Sequence, residues 1–432
     1  MRIDRLTIEN FKGFSRREFS FAPGFNLIVG TNGTGKTSAL DALTVAAGSW
    51  FLGIRGYEKT RHIRTDEIRL APRSYDGEIR FEDQYPVVIA AHGEVAGEPM
   101  DWTRALNSAK GRTTFGKATN IRDAALTAEA GARNGSDITL PLISYYGTGR
   151  LWLEPRRESE IKDVKKLKLT TKRQLSRLEG YRNSIDPRLS VRDLVTWIAR
   201  QSWIGYQQGR EPSVFEAVKQ AILGCVEDAQ NLYFDPKLGE VVVVMAEHGA
   251  QPFANLSDGQ RCMLAMVGDI AQKAAKLNPQ FGSQVLLETP GVVLIDELDL
   301  HLHPRWQRRV ISDLHRTFPK IQFVCTTHSP QLIGQVKSEE IILLDNREGG
   351  HPGQSFGMDS NWVLRHIMGS VDRDPKVAAG LDEIFENIEE SQFENAKGKI
   401  LKLRRDIGEH PDLVEAEALI SRYTRFPESQ GD

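Results

Sequence analysis

Eight residues, Gly30-Thr31-Asn32-Gly33-Thr34-Gly35-Lys36-Thr37, fit the pattern G-x-x-x-x-G-K-[ST] and constrain the fold more than any other feature. An apolar run, Phe25-Asn26-Leu27-Ile28-Val29, leads into them, and a helical pattern from Thr37 to Ala47 follows. Strand, glycine loop and helix in that order make a phosphate-binding loop. Glycines reach φ > 0 and leave no Cβ between the backbone N–H groups and an anion. The helix N-terminus adds its partial positive charge. Lys36 is expected to reach the β- and γ-phosphates, and the Thr37 hydroxyl to ligate Mg²⁺. Gly30, Thr31, Asn32, Gly33, Thr34, Gly35, Lys36, Thr37 and Ser38 form the candidate nucleotide-binding set. A chance glycine turn would not explain the strand before it and the helix after it.

Leu256-Ser257-Asp258-Gly259-Gln260 precedes an amphipathic helix expected over 258–275. The segment resembles the ABC-type ATPase signature, usually Leu-Ser-Gly-Gly-Gln. A Ser hydroxyl and a Gly N–H at a helix N-terminus suit a γ-phosphate, although Ser-Asp-Gly is also a common N-cap turn. About 36 residues later the strand Val292–Ile295 ends in Asp296-Glu297, in the order this ATPase family uses. Asp296 would hold Mg²⁺ through water, and Glu297 would polarise the attacking water. Asp299 resembles the D-loop residue. His328, in Thr326-Thr327-His328-Ser329-Pro330, resembles the switch histidine that contacts the γ-phosphate. His301 and His303 have no Cys and no third ligand at metal-site spacing, so a D-loop and helix-start role is preferred to metal binding.

Together these motifs resemble the ABC-type ATPase fold of the Rad50/SMC/RecF branch, including its OLD-like members. The opening Ile8-Glu9-Asn10-Phe11-Lys12-Gly13-Phe14 is similar to that branch's first strand. About 220 residues separate Thr37 from Leu256, too many for a transporter subunit, which also lacks the opening motif. Leu140-Pro141-Leu142-Ile143-Ser144-Tyr145-Tyr146-Gly147-Thr148-Gly149-Arg150-Leu151-Trp152, Arg177-Leu178-Glu179-Gly180-Tyr181-Arg182 and the helical tail are similar to segments of bacterial defence ATPases, most closely the PtuA-type ATPases of Septu systems and some retrons. Two departures stand out. Asp258 replaces the usual third-position glycine, and no Q-loop glutamine follows Tyr146, where Tyr145 to Arg150 takes its place.

The resemblance implies an α/β fold: an ABC-type ATPase head with a mixed or parallel core sheet flanked by helices, an antiparallel β subdomain, a helical insertion and a helical C-terminal region. Expected domains are an N-terminal lobe (1–150), a basic helical insertion (151–230), a C-terminal lobe with signature, acidic pair and switch His328 (231–360), and a tail (361–432). Residues 78–81 and 87–91 suggest strands of one antiparallel sheet, and 107–137 a loop or short helix. Residues 190–225 look helical, 232–234 and 241–245 form a hairpin, and a helix over 305–317 leads to the strand 322–325.

ATP and Mg²⁺ are the implied cofactors. A homodimer or higher even oligomer would sandwich ATP between the phosphate loop of one copy and the signature of another. The family implies anti-phage defence through a separate effector nuclease, often of the HNH type, and the chain itself is not expected to be a nuclease, since no Toprim acids follow His328. A RecF-like DNA-maintenance ATPase acting directly on DNA is the alternative. Lys+Arg is 56 against Asp+Glu 58, so basic character can only be local. Residues 150–182 carry 11 Lys/Arg and 5 Asp/Glu, either a solvated face or a nucleic-acid contact. In the tail, Leu381, Ile384, Phe385 and Ile388 mark an amphipathic helix that packs on its own domain or docks a partner. Three scattered cysteines argue against disulfides and zinc clusters. The absence of a leader or of about 18 uncharged apolar residues in a row leads us to expect a cytoplasmic, membrane-free protein.

Overall fold

The computed structural model describes residues 1–75, 78–151, 176–345, 350–370 and 373–425. The first strands are β1 (Arg2–Phe11), β2 (Phe14–Ser20) and β3 (Phe25–Val29), followed by helix α1 (Lys36–Ala47). Next come β4 (Leu70–Tyr75), β5 (Glu78–Asp83), β6 (Val87–Val95), β7 (Glu98–Leu106), α2 (Thr119–Arg133) and β8 (Leu142–Tyr146). Helices α3 (Val191–Gln208) and α4 (Ser213–Cys225) precede β9 (Ala229–Asp235), β10 (Glu240–Met245) and β11 (Gly249–Pro252). Helix α5 (Asp258–Leu277) then leads to β12 (Gly291–Ile295), β13 (Ile321–Thr326) and β14 (Ile341–Leu343).

The central sheet has the order β14-β3-β13-β12-β8, and every neighbouring pair is parallel. Strands β3, β8, β12 and β13 are buried at every residue. A parallel sheet covered on both faces needs such continuous apolar runs. Its strands share one direction, so the loops after β3, β8, β12 and β13 gather at one edge, where ligands bind in open α/β sheets. A second sheet, β2-β1-β6-β7, is antiparallel. Strand β6 alternates buried and half-buried residues, as a strand with one face on the core should. Helix α1 packs against β1, β6 and β7 of this sheet and against β12 and β13 of the parallel one. That double cover explains why α1 is apolar on most of its surface.

Several expectations need correction. Strands β5 and β6 do not share a sheet: β5 pairs with β4 alone, while β6 joins β1. The polar stretch 107–137 contains the full-length helix α2, which buries Ile121, Ala125 and Ala128. An alanine-rich contact face gives little apolar contrast to read. The helical run 190–225 is two helices, because Gly209 ends the first in the left-handed region (φ 67°) and Pro212 caps the start of the second. The helix expected over 305–317 is Pro304–Gln307 and Val310–Thr317. The Gln307 side chain donates to Leu302 O (2.9 Å) and accepts from Ser329 Oγ (2.7 Å), so tertiary bonds fix the first turn separately. Tyr145 and Tyr146 are core residues. Residues 152–175 of the basic stretch, with Trp152, lie outside the described residues.

The chain divides into two compact units, Met1–Ser360 and Asn361–Asp432. In the second, helices Pro375–Glu389, Phe393–Ile407 and Pro411–Arg425 enclose their own core, which includes Leu381, Ile384, Ile388, Ile400, Leu413 and Ile420. Among the described residues, no helix is long and apolar enough to cross a membrane.

Candidate functional site

The loop between β3 and α1 turns at two glycines in the left-handed region, Gly33 (φ 85°) and Gly35 (φ 100°). At Gly35 a Cβ would also lie 2.8 Å from the Phe14 ring. Phe14 belongs to the opening motif, so that motif backs the loop. The Lys36 ammonium donates to Gly30 O (2.8 Å) and Thr31 O (3.0 Å). Burial holds its pKa below the usual lysine value, opposed by Asp345, Asp296, Glu297 and Asp299. Such a cation, short of carboxylate contact and set among loop N–H groups, suits phosphate oxygens.

Asp296 and Glu297 stand at the end of β12. The Thr37 hydroxyl donates to Asp296 Oδ2 (3.0 Å) and the Thr326 hydroxyl to Asp296 Oδ1 (2.6 Å). A hydroxyl beside a carboxylate is a hard-oxygen donor set, which fits Mg²⁺. Glu297 has φ 50°, a conformation that costs a non-glycine residue free energy and is found at functional sites. Asn32, Gly33, Gly35, Lys36, Thr37, Ser38, Asp296, Glu297 and His328 line one cleft of about 280 Å³. Six loop residues, the acidic pair and His328 therefore meet although nearly 300 residues separate them.

Other expected residues lie around the cleft without lining it. Gly30 and Thr31 receive Lys36 on their carbonyls, and Thr34 Oγ1 donates to Thr31 O (2.8 Å). Asp299 accepts from Thr327 Oγ1 (2.5 Å). The signature segment is elsewhere: Leu256 and Gln260 line a separate hollow with Met245 and His248. Ser257 caps α5, with Gln260 N donating to its Oγ (3.3 Å) and its own N–H donating to Gln260 Oε1 (3.0 Å). Asp258 is ion-paired with Arg261. Gly259 is required by close approach, since a Cβ there would meet His301 O at 2.6 Å. His303 Nδ1 accepts from Arg305 N (3.3 Å) and starts a helix, and the described residues bring no three or more His, Cys, Asp or Glu side chains together at a metal-binding spacing.

Three supporting residues escape sequence reading. Asp345, after β14, accepts from the Thr31 N–H (3.1 Å) and hydroxyl (2.9 Å). Thr326 bridges Asp296 and the Glu297 N–H (2.8 Å). Arg150 is buried behind the acidic pair and donates to Asp296 O (2.8 Å) and Glu297 O (3.0 Å). Arg150 and Thr326 carry a signal only by adjacency: Arg150 ends the turn that takes the place of a Q-loop, and Thr326 stands two residues before His328.

Two family models match the chain. One described as an AAA domain matches residues 5–204, and another, an AAA domain whose description refers to the AbiEii toxin of type IV toxin–antitoxin systems, matches 223–334. The chain is 43% identical over 128 residues to the retron Ec83 probable ATPase of Escherichia coli, covering 28% of this chain and 22% of that protein. It is 23% identical over 410 residues to the retron Vc95 probable ATPase of Vibrio cholerae, covering 80% of this chain and 74% of the relative. It is 27% identical over 354 residues to the Septu protein PtuA of Bacillus mycoides, covering 80% of this chain and 41% of the relative. The chain thus spans less than half the length of two of these three relatives. Among solved structures, the SMC head domain from Thermotoga maritima matches with a TM-score of 0.41 and 16% identity, over 79% of this chain and 94% of that one.

Proposed function

We propose that this chain, an AAA-type ATPase of the ABC class related to the retron and Septu ATPases, is the ATP-driven switch of an anti-phage defence system. The observation that carries the reading is the convergence of Lys36, Thr37, Asp296, Glu297 and His328 on one cleft. Backbone N–H groups and Lys36 would bind the triphosphate. Thr37 and Asp296 would hold Mg²⁺, which neutralises phosphate charge. Glu297 would orient the attacking water and take its proton, and His328 would contact the γ-phosphate. Ser257 and Gly259 of a second copy would close the site, a role supported by their not lining the cleft of their own chain. Head engagement on ATP and release on hydrolysis would then be the two states that control a separate effector nuclease.

Phosphate release by the purified chain tests the chemistry, with Lys36→Ala as the control. Activity that survives in that variant would sink the ATPase assignment. Co-purification from the native operon, read by mass spectrometry, tests the biological role. A nuclease retained with the chain supports the defence reading. DNA-stimulated hydrolysis with no partner would favour a RecF-like function instead.

A further inference from the structure

Arg150 follows β8 in the turn that replaces a Q-loop. It is 1% exposed, and its guanidinium meets three backbone carbonyls and a thiol. Nη1 donates to Asp296 O (2.8 Å) and Gly147 O (3.2 Å), Nη2 to Glu297 O (3.0 Å), and Nε to Cys262 Sγ (3.3 Å). A guanidinium withdrawn from water is costly unless its donors are satisfied. Here the planar fork spends them on two consecutive carbonyls.

Those carbonyls flank the Cα of Glu297, the residue with φ 50°. In the peptide before it, the carbonyl is held by Arg150 and the N–H donates to Thr326 Oγ1 (2.8 Å). In the peptide after it, the carbonyl is held by Arg150 and the Leu298 N–H donates to Thr326 O (2.9 Å). Both peptide planes around the strained residue are therefore fixed at both ends. The same guanidinium reaches Cys262, in the second turn of α5, whose N-terminus carries the signature. We infer that Arg150 is a positioning residue for hydrolysis: with Thr326 it sets the backbone of Glu297, and through Cys262 it ties that turn to the signature helix.

This rests on the proposed role of Glu297. Arg150 does not line the cleft, so its loss should reach turnover before it reaches nucleotide affinity. Lysine keeps the charge and the buried stem but cannot span both carbonyls and the thiol. Arg150→Lys and Arg150→Gln, made in the full chain, are compared with wild type in three measurements. These are affinity for a fluorescent ATP analogue, kcat, and amide hydrogen exchange across 294–300. The expected result is affinity within about threefold, kcat lower by at least about tenfold, and faster exchange at the Glu297 and Leu298 amides. Exchange in α1 should not change. If Arg150→Gln fails to fold, Arg150→Lys carries the test.

A kcat within about twofold of wild type, or unchanged exchange in the turn, overturns the inference. So does a fall in affinity as large as the fall in kcat, because Arg150 would then be building the cleft. Glu297→Gln run alongside separates the two ideas. If that variant hydrolyses ATP normally, the role of Glu297 fails, and the exchange measurement still decides whether Arg150 holds the turn.

Discussion

At the scale of single residues, the cleft divides into groups that would bind and one that would act. Lys36 belongs to the first. Its ammonium is buried and bonded to loop carbonyls, so Lys36→Ala removes both the cation and a brace of the loop. ATP affinity should be lost in equilibrium binding; retention within about threefold, less than about 1 kcal/mol, would count against the assignment. Glu297 belongs to the second. Glu297→Gln keeps shape and burial while removing the basic carboxylate, so ATP should still bind while hydrolysis slows by about a hundredfold. Light scattering with ATP and Mg²⁺ should show engaged pairs accumulating, and normal turnover would exclude this role. The loop, the acidic pair and His328 were legible in the sequence because their chemistry demands fixed residue types at local spacing. Arg150 and Asp345 were not, because they act on backbone groups 146 and 314 residues away in the chain. A side chain that serves a distant carbonyl leaves no local pattern.

At the scale of elements, legibility followed apolar contrast. The fully buried strands β3, β12 and β13 read directly, and so did α5 with its capping serine. Helix α2 did not, because alanines supply much of its buried side. The pairing of β6 with β1 was also hidden, since strand partners 79 to 92 residues apart are set by tertiary packing. The N-terminus of α5 yields two predictions. Gly259→Ala forces a methyl group toward His301 O, and backbone on both sides resists the shift. Overpacking of that kind should lower stability by about 1–3 kcal/mol, read as a drop in denaturation midpoint. Unchanged stability would mean that the helix and the Asp299–His301 turn are not in register. Ser257→Arg places a cation where a second copy's γ-phosphate should dock and should abolish hydrolysis. Mixed with Lys36→Ala protein, it should regain partial activity, because one composite site per mixed pair stays intact if subunits exchange. Full activity of Ser257→Arg alone would exclude the composite site.

At the scale of the whole molecule, the chain divides into two compact units, and the candidate cleft lies in the first. Every residue lining the cleft, and every strand of the parallel sheet, lies within Met1–Ser360. The tail's core is drawn from its own three helices, with Leu381, Ile384 and Ile388 facing Ile400, Leu413 and Ile420. Removing residues 375–426 therefore removes none of the residues that line the cleft and no strand of the central sheet. The truncated chain should keep its ATP affinity within about threefold. The apolar face of Pro375–Glu389 is already spent on that core, so a partner would read the outer, charged side of the tail. Charge reversal there, Glu386→Lys with Glu390→Lys, should weaken capture of an effector while leaving the tail folded. Ile384→Asp buries a carboxylate in an apolar cluster and should unfold the tail alone, releasing the effector as the truncation does. Loss of ATP binding in a truncated chain that remains folded by circular dichroism would place part of the nucleotide site in the tail. An effector still captured by that chain would move the docking surface into the first 360 residues, where the basic stretch 150–182 is the next surface to test.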